Sequence, residues 1–418
     1  MQICVIGAGV VGLMSAWQLQ AEGHQVTVVD RAREPGEGAS QRNGAQLSYS
    51  YVAPLADASI PAKIPGLLLA ADSPLKFRLR ASPAQWAWLL AFLRACNTVD
   101  SSRTTEALLA LAFLSRDIVE PLIAAEGIAC GFSRAGKLVL YPDVAALEAA
   151  RSQVAYQAKL GCEQQVLSAA ECVAREPVLA GYAGGIAGGV WTASDAAADC
   201  HDFCTQLAAR LQARGVCFEL GRSALGFERK GSRITRLFTD GEPIDAAAYV
   251  LATGAAAPRL AVAAGLKLNI QPLKGYSVTL RPRGEAVPKV SITDLRRKVV
   301  FAPLTDASGN TRVRVAGFVE IGAGAGIPPA RIEALLDSAR QVIGLTEVEP
   351  EIDAWAGFRP ATASGRPVIG ATPLANLYLN VGHGTLGWTL AAGSARLVAD
   401  AVAKRTPSLA AEAFAYRA

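Results

Sequence analysis

The stretch that decides the fold is "ICVIGAGVVGLMSAWQLQAEGHQVTVVDR", which runs from Ile3 to Arg31. It begins with a short apolar strand and continues through a GxGxxG turn into a helix that ends near Gly23. A second apolar strand follows and ends at Asp30. This order of strand, glycine turn, helix, strand and acidic residue is typical of a dinucleotide-binding βαβ unit. The sequence therefore predicts a Rossmann-like domain at the amino end.

The residue types of this turn fit a bound pyrophosphate. Gly7 permits the tight turn, Gly9 lets the backbone approach the phosphates, and Gly12 lets the helix pack closely on the strand. The N–H groups at the start of the helix attract phosphate oxygens. A carboxylate at the end of the second strand accepts hydrogen bonds from a ribose diol and disfavours a 2′-phosphate. The predicted cofactor contacts here are Gly7, Gly9, Val10, Val11, Gly12, Asp30 and Arg31.

A second glycine turn decides between NAD and FAD, which the first unit leaves open. "AAAYVLATGAAAP", from Ala246 to Pro258, reads as a buried strand that ends in Ala252, Thr253 and Gly254. In FAD proteins such a turn commonly packs beside the first one, whereas NAD dehydrogenases do not usually need it. FAD is therefore favoured, and Ala224, which lies upstream of this strand, is a further predicted contact.

The chain is predicted to weave between two domains of an α/β fold. A Rossmann-like FAD-binding domain takes residues 1–46, 196–268 and 351–418. An α+β substrate domain, built on a mostly antiparallel sheet, takes residues 47–195 and 269–350. A chain of 418 residues is long enough to form two or three domains, each with its own hydrophobic core.

Composition excludes several classes of function. The net charge of +5 is small, and the basic residues are dispersed, so no nucleic-acid partner is expected. The eight cysteines include no CxxC pair and are expected to be reduced thiols. "CHDFC" at 200–204 has no second pair of ligands at the spacing of a zinc site, so no metal is predicted.

The segment "ASPAQWAWLLAFLRAC", from Ala81 to Cys96, leaves two interpretations open. Ser82 and Pro83 mark the start of a helix. The helix is either buried or an apolar patch that lies on a membrane. The sequence holds no apolar window of about twenty residues and no signal peptide. A cytoplasmic protein is expected, with a contact on the cytoplasmic face of the inner membrane as the second interpretation.

Five stretches resemble a known superfamily. They are the first fifty residues, "QWAWLLAFLRAC" at 85–96, "PLKGYSVTL" at 272–280, "GFRPATASGRPVIG" at 357–370 and "NLYLNVGHGTLGWTLAAGS" at 376–394. Together they resemble the D-amino-acid oxidase-like FAD-dependent oxidoreductases, and within them the bacterial D-amino acid dehydrogenases of the small-subunit type. The resemblance runs from end to end and is weak between residues 100 and 195.

The resemblance implies which residues surround the flavin. The loop before the last helix wraps the isoalloxazine ring, and the helix N-terminus points at the N1–C2=O edge. That assigns cofactor contacts to Gly382, His383, Gly384, Thr385, Leu386 and Gly387. The segment after the second strand lines the ring through Ser40, Asn43, Gly44, Ala45 and Gln46. Family members tend to read Asn-Ala-Gly-Gln where this chain has Asn-Gly-Ala-Gln.

It also implies a substrate site. Arg359 is expected to hold the substrate carboxylate with its guanidinium fork, the alternative being an ion pair with a nearby acid such as Asp353. Tyr276 and Tyr51 are each either active-site side chains or core aromatics. His383 is expected to form a hydrogen bond in the flavin loop rather than to act as a base.

The reaction implied is oxidation of a D-amino acid by hydride transfer from Cα to flavin N5, followed by hydrolysis to a 2-oxo acid and ammonia. The electrons then pass to a quinone or another acceptor besides O2. Non-covalent FAD is expected, since no cysteine follows Cys217. Three alternatives stay open. They are an O2-using oxidase of glycine, sarcosine or D-amino acids, a D-proline or hydroxyproline dehydrogenase, and a non-catalytic flavin-bearing subunit.

Overall fold

The computed structural model describes residues 1–52, 55–61, 75–283, 287–306, 308–349 and 352–417. Its helices are α1 Val10–Ala21, α2 Pro83–Ala95, α3 Thr98–Ala125, α4 Val144–Ala158, α5 Ala169–Arg175, α6 Cys200–Ala213, α7 Ala257–Ala263, α8 Pro329–Ile343 and α9 Gly387–Val402. Its first strands are β1 Gln2–Ile6, β2 Gln25–Asp30, β3 Gln46–Leu47, β4 Leu75–Phe77, β5 Lys137–Tyr141, β6 Gln164–Ser168, β7 Gly188–Thr192, β8 Ala196–Ala197 and β9 Cys217–Leu220. The remaining strands are β10 Ala224–Lys230, β11 Arg233–Thr239, β12 Ala248–Leu251, β13 Ile270–Leu280, β14 Ser291–Asp294, β15 Val299–Thr305, β16 Thr311–Ile321, β17 Asp353–Thr362, β18 Val368–Ala371 and β19 Leu377–Val381.

The first sheet has six strands in the order β18-β19-β12-β1-β2-β9. All neighbours are parallel except β18, which runs antiparallel to β19. The buried apolar runs of β1 and β12 lie side by side in register, Val5 opposite Val250. Strands buried on both faces read as such continuous apolar runs. Helices α1 and α9 contact each other and lie against this sheet.

The second sheet has nine strands. Eight follow the order β17-β13-β16-β15-β14-β5-β7-β6, and β4 pairs with β16 beyond the end of β15. Its pairs are antiparallel except β5 with β14 and β4 with β16. Helix α8 covers one face, here called the outer face, through Leu335 and Val342, which pack in one cluster with Val278 and Phe301. The opposite, inner face meets residues 42–51.

The predicted fold class, a Rossmann-like domain interwoven with a mostly antiparallel sheet, is confirmed. One allocation differs. The sequence assigned β17 to the FAD-binding segments, but β17 pairs with β13 along its length, from Ile270 opposite Thr362 to Thr279 opposite Asp353. Strand pairing across more than seventy residues decides this, and no local pattern reports it. The other domain limits stay predictions, and the limit at 350–351 falls outside the described residues.

Helix α2 begins as predicted, with Pro83 in its first turn and Ser82 Oγ accepting a hydrogen bond from Gln85 N at 3.4 Å. Its two sides differ. Trp88 and Phe92 are buried and stack with ring centroids 5.1 Å apart. Trp86, Leu90 and Leu93 are exposed. Within the described ranges, no helix is both long and apolar enough to cross a bilayer.

Candidate active site

The two glycine turns meet at the carboxyl ends of β1 and β12. A Cβ on Gly7, whose φ is +119°, would lie 2.5 Å from the Ala252 carbonyl oxygen. A Cβ on Gly12 would lie 1.8 Å from the carbonyl oxygen of Gly7. Both positions therefore exclude any larger residue. A Cβ on Gly9 would meet only Ser40 Oγ, at 3.4 Å, so the fold itself leaves space in front of this glycine.

Asp30 shapes the first turn. Its Oδ2 accepts from Ala8 N at 2.7 Å and its Oδ1 accepts from Ala32 N at 2.8 Å. Each carboxylate oxygen can accept a second hydrogen bond, so these contacts orient the carboxylate and leave it able to accept hydrogen bonds from a ligand. Among the other predicted contacts, Arg31 is exposed and Ala224 is half-buried at the start of β10. Ser40 Oγ accepts from Val10 N at 3.1 Å and so links residues 38–40 to the start of α1.

Residues 42–47 cross the inner face and are tied to it at several points. Arg42 O accepts from Ser277 Oγ at 2.7 Å, and Asn43 O accepts from Arg314 Nη1 at 3.0 Å. Arg314 is 1% exposed and forms an ion pair with Asp199 at 3.1 Å. The Gln46 amide donates to Ser291 Oγ at 2.8 Å. The segment is therefore held by buried polar contacts.

The exchange of glycine and alanine in this segment has a structural consequence. Ala45 has φ +56°, in the left-handed region that favours glycine. Gly44 does not need such a conformation, and a Cβ there would meet Val300 Cγ2 at 3.2 Å. The Asn43 side chain supports the turn by accepting from Ala45 N at 2.9 Å. The backbone keeps the shape that a glycine at 45 would favour.

The loop before α9 carries the other predicted flavin contacts. Gly382 has φ +84°, and a Cβ there would lie 2.6 Å from Thr362 Cγ2. Gly384 has φ +57° and faces open space, while Thr385 is exposed and Leu386 and Gly387 are half-buried. The His383 ring is 3% exposed, with Nε2 at 3.1 Å from Ser394 Oγ. Burial lowers its pKa to about 3, so the ring is neutral at physiological pH.

Arg359 lies on β17, the strand that contacts the turns at 38–40, 254–256 and 384–386. Its guanidinium covers Gly275, where a Cβ would lie 2.4 Å from Nη2. Nη1 donates to the Phe318 carbonyl at 2.9 Å. Phe318 has φ +62°, at a bulge in β16. Burial lowers the pKa of Arg359 to about 10, so the group stays charged.

Arg359 forms no ion pair with any described residue. The alternative partner, Asp353, instead accepts from Arg42 Nε at 2.5 Å, so the ion-pair interpretation was wrong. A charge withdrawn from water usually finds a counter-ion. A half-buried guanidinium without one suits an anionic ligand.

Tyr276 is not brought together with Arg359. It follows Gly275 on β13, so its side chain points to the outer face. There it is 1% exposed and packs in the cluster under α8, with Lys274 Nζ 5.2 Å from its ring centroid. Burial and the nearby Glu320 carboxylate raise its pKa to about 12. This placement favours the core alternative.

Tyr51 lies over β5, and β14, β15, β16 and β13 stand between that strand and β17. Its ring centroid is 4.6 Å from Lys137 Nζ.

Lys137 and Asp195 are buried polar residues that sequence reasoning missed. Lys137 donates to Ser48 Oγ at 2.7 Å, and Asp195 Oδ1 accepts from Tyr49 N and Ser50 N at 2.9 and 3.0 Å. The available signal was a lysine beginning an apolar strand, "KLVLY".

The residues of the two glycine turns, the start of α1 and the loop before α9 fit FAD. Thr253, in the second glycine turn, has a buried hydroxyl oxygen with no partner among the described residues, and residues 254–256, which follow it, contact β17. The positions next to Gly9, Gly254 and Gly384 are open enough for a group to approach the backbone. The first helical turn of α1 carries no acidic residue that would repel phosphate. The described ranges hold no cluster of His, Cys, Asp and Glu side chains that could bind a metal ion.

Comparison with known proteins identifies relatives over the full length. A family described as FAD dependent oxidoreductase matches residues 2–401. D-amino acid dehydrogenase 2 of Ralstonia nicotianae is 46% identical, over 99% of this chain and 99% of that protein. D-amino acid dehydrogenase 2 of Pseudomonas aeruginosa is 43% identical, over 98% of this chain and 96% of that protein.

Solved structures share the fold at lower identity. Glycine oxidase from Geobacillus kaustophilus superposes with a TM-score of 0.79 at 22% identity, over 99% of this chain and 98% of that one. L-proline dehydrogenase from P. horikoshii gives 0.75 at 19% identity, over 99% and 96%. The fold, the fit of the glycine turns to FAD and the match over residues 2–401 lead to one conclusion. The chain belongs to the family of FAD dependent oxidoreductases.

Proposed function

We propose that this protein is a D-amino acid dehydrogenase that passes electrons to an acceptor other than O2. The observation that carries the proposal is the Arg359 guanidinium, which is charged, has no acidic partner among the described residues and stands on the strand beside the flavin turns. The names of the relatives at 46% and 43% identity support the substrate class.

Arg359 would bind the substrate carboxylate through two parallel N–H···O bonds. The Phe318 carbonyl fixes one edge of the guanidinium through Nη1, and Gly275 leaves room for it against the sheet. The group is therefore oriented before substrate arrives, which reduces the entropy lost on binding.

Bound FAD would supply the hydride acceptor. The chain's own contribution is to hold the amino acid with Cα in one orientation and to support negative charge near α9. The N-terminus of α9 presents N–H groups and a partial positive charge there. His383 takes no proton near neutral pH, because burial holds its pKa near 3. The amine is therefore proposed to bind deprotonated, without a protein base.

The test is anaerobic mixing of the purified protein with D-alanine, L-alanine, D-proline, glycine or sarcosine while flavin absorbance is followed. Bleaching by D-isomers, then slow recovery in air and rapid recovery with a soluble quinone, is the expected result. Fast recovery in air with peroxide would make the protein an oxidase. Bleaching by glycine, sarcosine or D-proline alone would assign the protein to a different substrate class. No bleaching at all would overturn the proposal.

The outer side of α2 supports a membrane-associated acceptor. Trp86, Leu90 and Leu93 are exposed on one side of the helix, and Leu79, in the segment just before the helix, is 62% exposed. The exposed side of α2 carries one charged residue, Arg94, and Arg78 and Arg80 precede the helix. Apolar side chains bordered by arginines suit a surface of anionic lipid. We propose that this side rests on a membrane that holds the quinone.

Sedimentation with vesicles tests the membrane contact. Wild-type protein is expected to sediment with vesicles of phosphatidylglycerol and phosphatidylethanolamine, and the variant with Trp86, Leu90 and Leu93 changed to Ser is expected to stay in solution. A matched control changes Val144, Leu225 and Val262, each at least 54% exposed elsewhere on the surface, to Ser. Equal sedimentation of both variants would contradict the contact.

A further inference from the structure

Lys137 is a buried cation that the reaction scheme above does not use. It is the first residue of β5 and is 4% exposed. The inner-face contact with Ser48 places its ammonium on the side of the sheet that carries Arg359. No acidic side chain among the described residues forms an ion pair with it. Burying a lysine in this way is costly unless the charge has a use.

The surroundings of Lys137 hold the ammonium in one place. Nζ donates to Ser48 Oγ at 2.7 Å, and the Tyr51 ring lies 4.6 Å from it. Asp195 is the nearby acid, but both bonds to its Oδ1 come from backbone N–H groups, and its Oδ2 has no partner in the described ranges. Burial dominates over this acid and lowers the lysine pKa to about 8. The amine is still mostly protonated at pH 7.

Ser48 connects this charge to the start of α9. The Ser48 N–H donates to Thr389 Oγ1 at 3.1 Å, and Thr389 lies in the first turn of that helix, which begins at Gly387. One residue therefore separates the ammonium from the helix end that is predicted to face the flavin N1–C2=O edge. A flavin gains negative charge at this edge when it is reduced, and a nearby positive charge stabilises that form.

We propose that Lys137 supplies charge to the flavin site: its ammonium, held on Ser48 beside the first turn of α9, raises the reduction potential of FAD bound against that turn. Lys137 acts through Ser48 and α9 and is not itself a catalytic residue. The inference rests on the family's FAD and on the predicted flavin loop, but not on the identity of the substrate.

The test is the midpoint potential of the bound flavin, measured by reductive titration with dithionite against reference dyes, without any amino acid. Lys137→Gln removes the charge while a donor to Ser48 remains, and Lys137→Arg keeps the charge. A unit charge at about 10 Å changes an equilibrium by about tenfold at protein-like dielectric. The Gln variant should therefore titrate about 30 mV lower for a two-electron couple, and the Arg variant should stay near wild type.

Lys404→Gln is the control. Lys404 is exposed just beyond the C-terminal end of α9, more than about 20 Å from the first turn of that helix at 1.5 Å per residue, so the same loss of charge should leave the potential unchanged. A potential in Lys137→Gln equal to that of wild type would overturn the inference. A fall in Lys137→Arg as large as in Lys137→Gln would do so as well, because it would show a packing effect. If D-amino acids fail to bleach the flavin, this measurement is unaffected.

Discussion

The two faces of the nine-stranded sheet treat buried cations differently. On the outer face, Lys274 Nζ donates to the carbonyls of Gly324, Ala325 and Gly326, so its three donors are used. On the inner face, Arg359 and Lys137 have no acidic partner among the described residues, and each donates one hydrogen bond to a neutral oxygen. None of these three cations has an acidic partner among the described residues, but Lys274 has all its donors used, whereas Arg359 and Lys137 keep donors unused. A buried cation with unused donors is costly for folding, so it marks the face where a ligand supplies the missing contacts.

The largest expected effect comes from changing Arg359. Arg359→Lys keeps the charge but loses the fork, and Arg359→Ala loses both. Each charge-assisted hydrogen bond contributes about 1.5–3 kcal/mol, so kcat/KM for D-alanine should fall between about 10² and 10⁴-fold in Arg359→Ala. Arg359→Lys should lie between that variant and wild type.

Steady-state assays with a dye acceptor measure these values, and flavin absorbance checks that both variants still bind FAD. Arg281→Ala is the control, since that arginine is exposed in a surface pair with Glu349. Loss of FAD in parallel with activity would argue for a structural role of Arg359 instead.

The outer face should respond in stability and not in substrate binding. Glu320 is 2% exposed and accepts from Arg331 Nε at 2.7 Å. Glu320→Gln breaks this buried pair and should lower the free energy of unfolding by about 3 kcal/mol. Urea denaturation measures the loss. KM for D-alanine should remain at the wild-type value, whereas a large rise in KM would place substrate next to Tyr276.

His383 should make the protein sensitive to acid. Its pKa is about 3 in the folded chain against about 6.5 in an unfolded one. The unfolded state therefore binds more protons below pH 6.5, and stability is lost as the pH falls from there toward 3. Between pH 7.5 and 5.5 the contribution is about 1.4 kcal/mol. The free energies of unfolding obtained from urea titrations at the two pH values should differ by that much less in His383→Gln. An unchanged difference would argue against a neutral buried ring.

The smallest effect concerns Ala45. Ala45→Gly places a glycine where φ is +56° and should raise the free energy of unfolding by about 0.5–1 kcal/mol. Gly44→Ala should not stabilise, since a Cβ there comes within 3.2 Å of Val300 Cγ2. Thermal unfolding of the two single variants distinguishes them. Destabilisation by Ala45→Gly would show that the left-handed turn carries little strain.

Local patterns predicted the parts of the site that depend on local geometry. The turns at Gly7–Gly12 and 252–254 and the loop at 382–387 lie where the sequence indicated, because glycine spacing reports backbone shape directly. The motif around Arg359 likewise indicated a residue that the structure leaves without a described counter-ion. The roles of these residues toward flavin and substrate stay predictions.

Long-range pairing determined the rest. The face of the sheet on which Tyr276 lies depends on the register of β13 with β17. The alternation of side chains along β13 does not by itself tell which of its two sets of residues points to the substrate side. Lys137 lies where the resemblance is weak, and its contact with Ser48 joins residues eighty-nine positions apart. A single lysine in an apolar strand gives no sign of such a partner.

The most direct test of Arg359 as the cation that binds the substrate carboxylate compares D-alanine with D-alaninamide, which lacks the carboxylate charge. Rapid anaerobic mixing gives the apparent Kd of each compound from the rate of flavin bleaching, in wild type and in Arg359→Ala. The wild-type protein should bind D-alanine at least about 100-fold more tightly than the amide, and Arg359→Ala should bind both equally weakly. An undiminished preference for the carboxylate in Arg359→Ala would contradict the account.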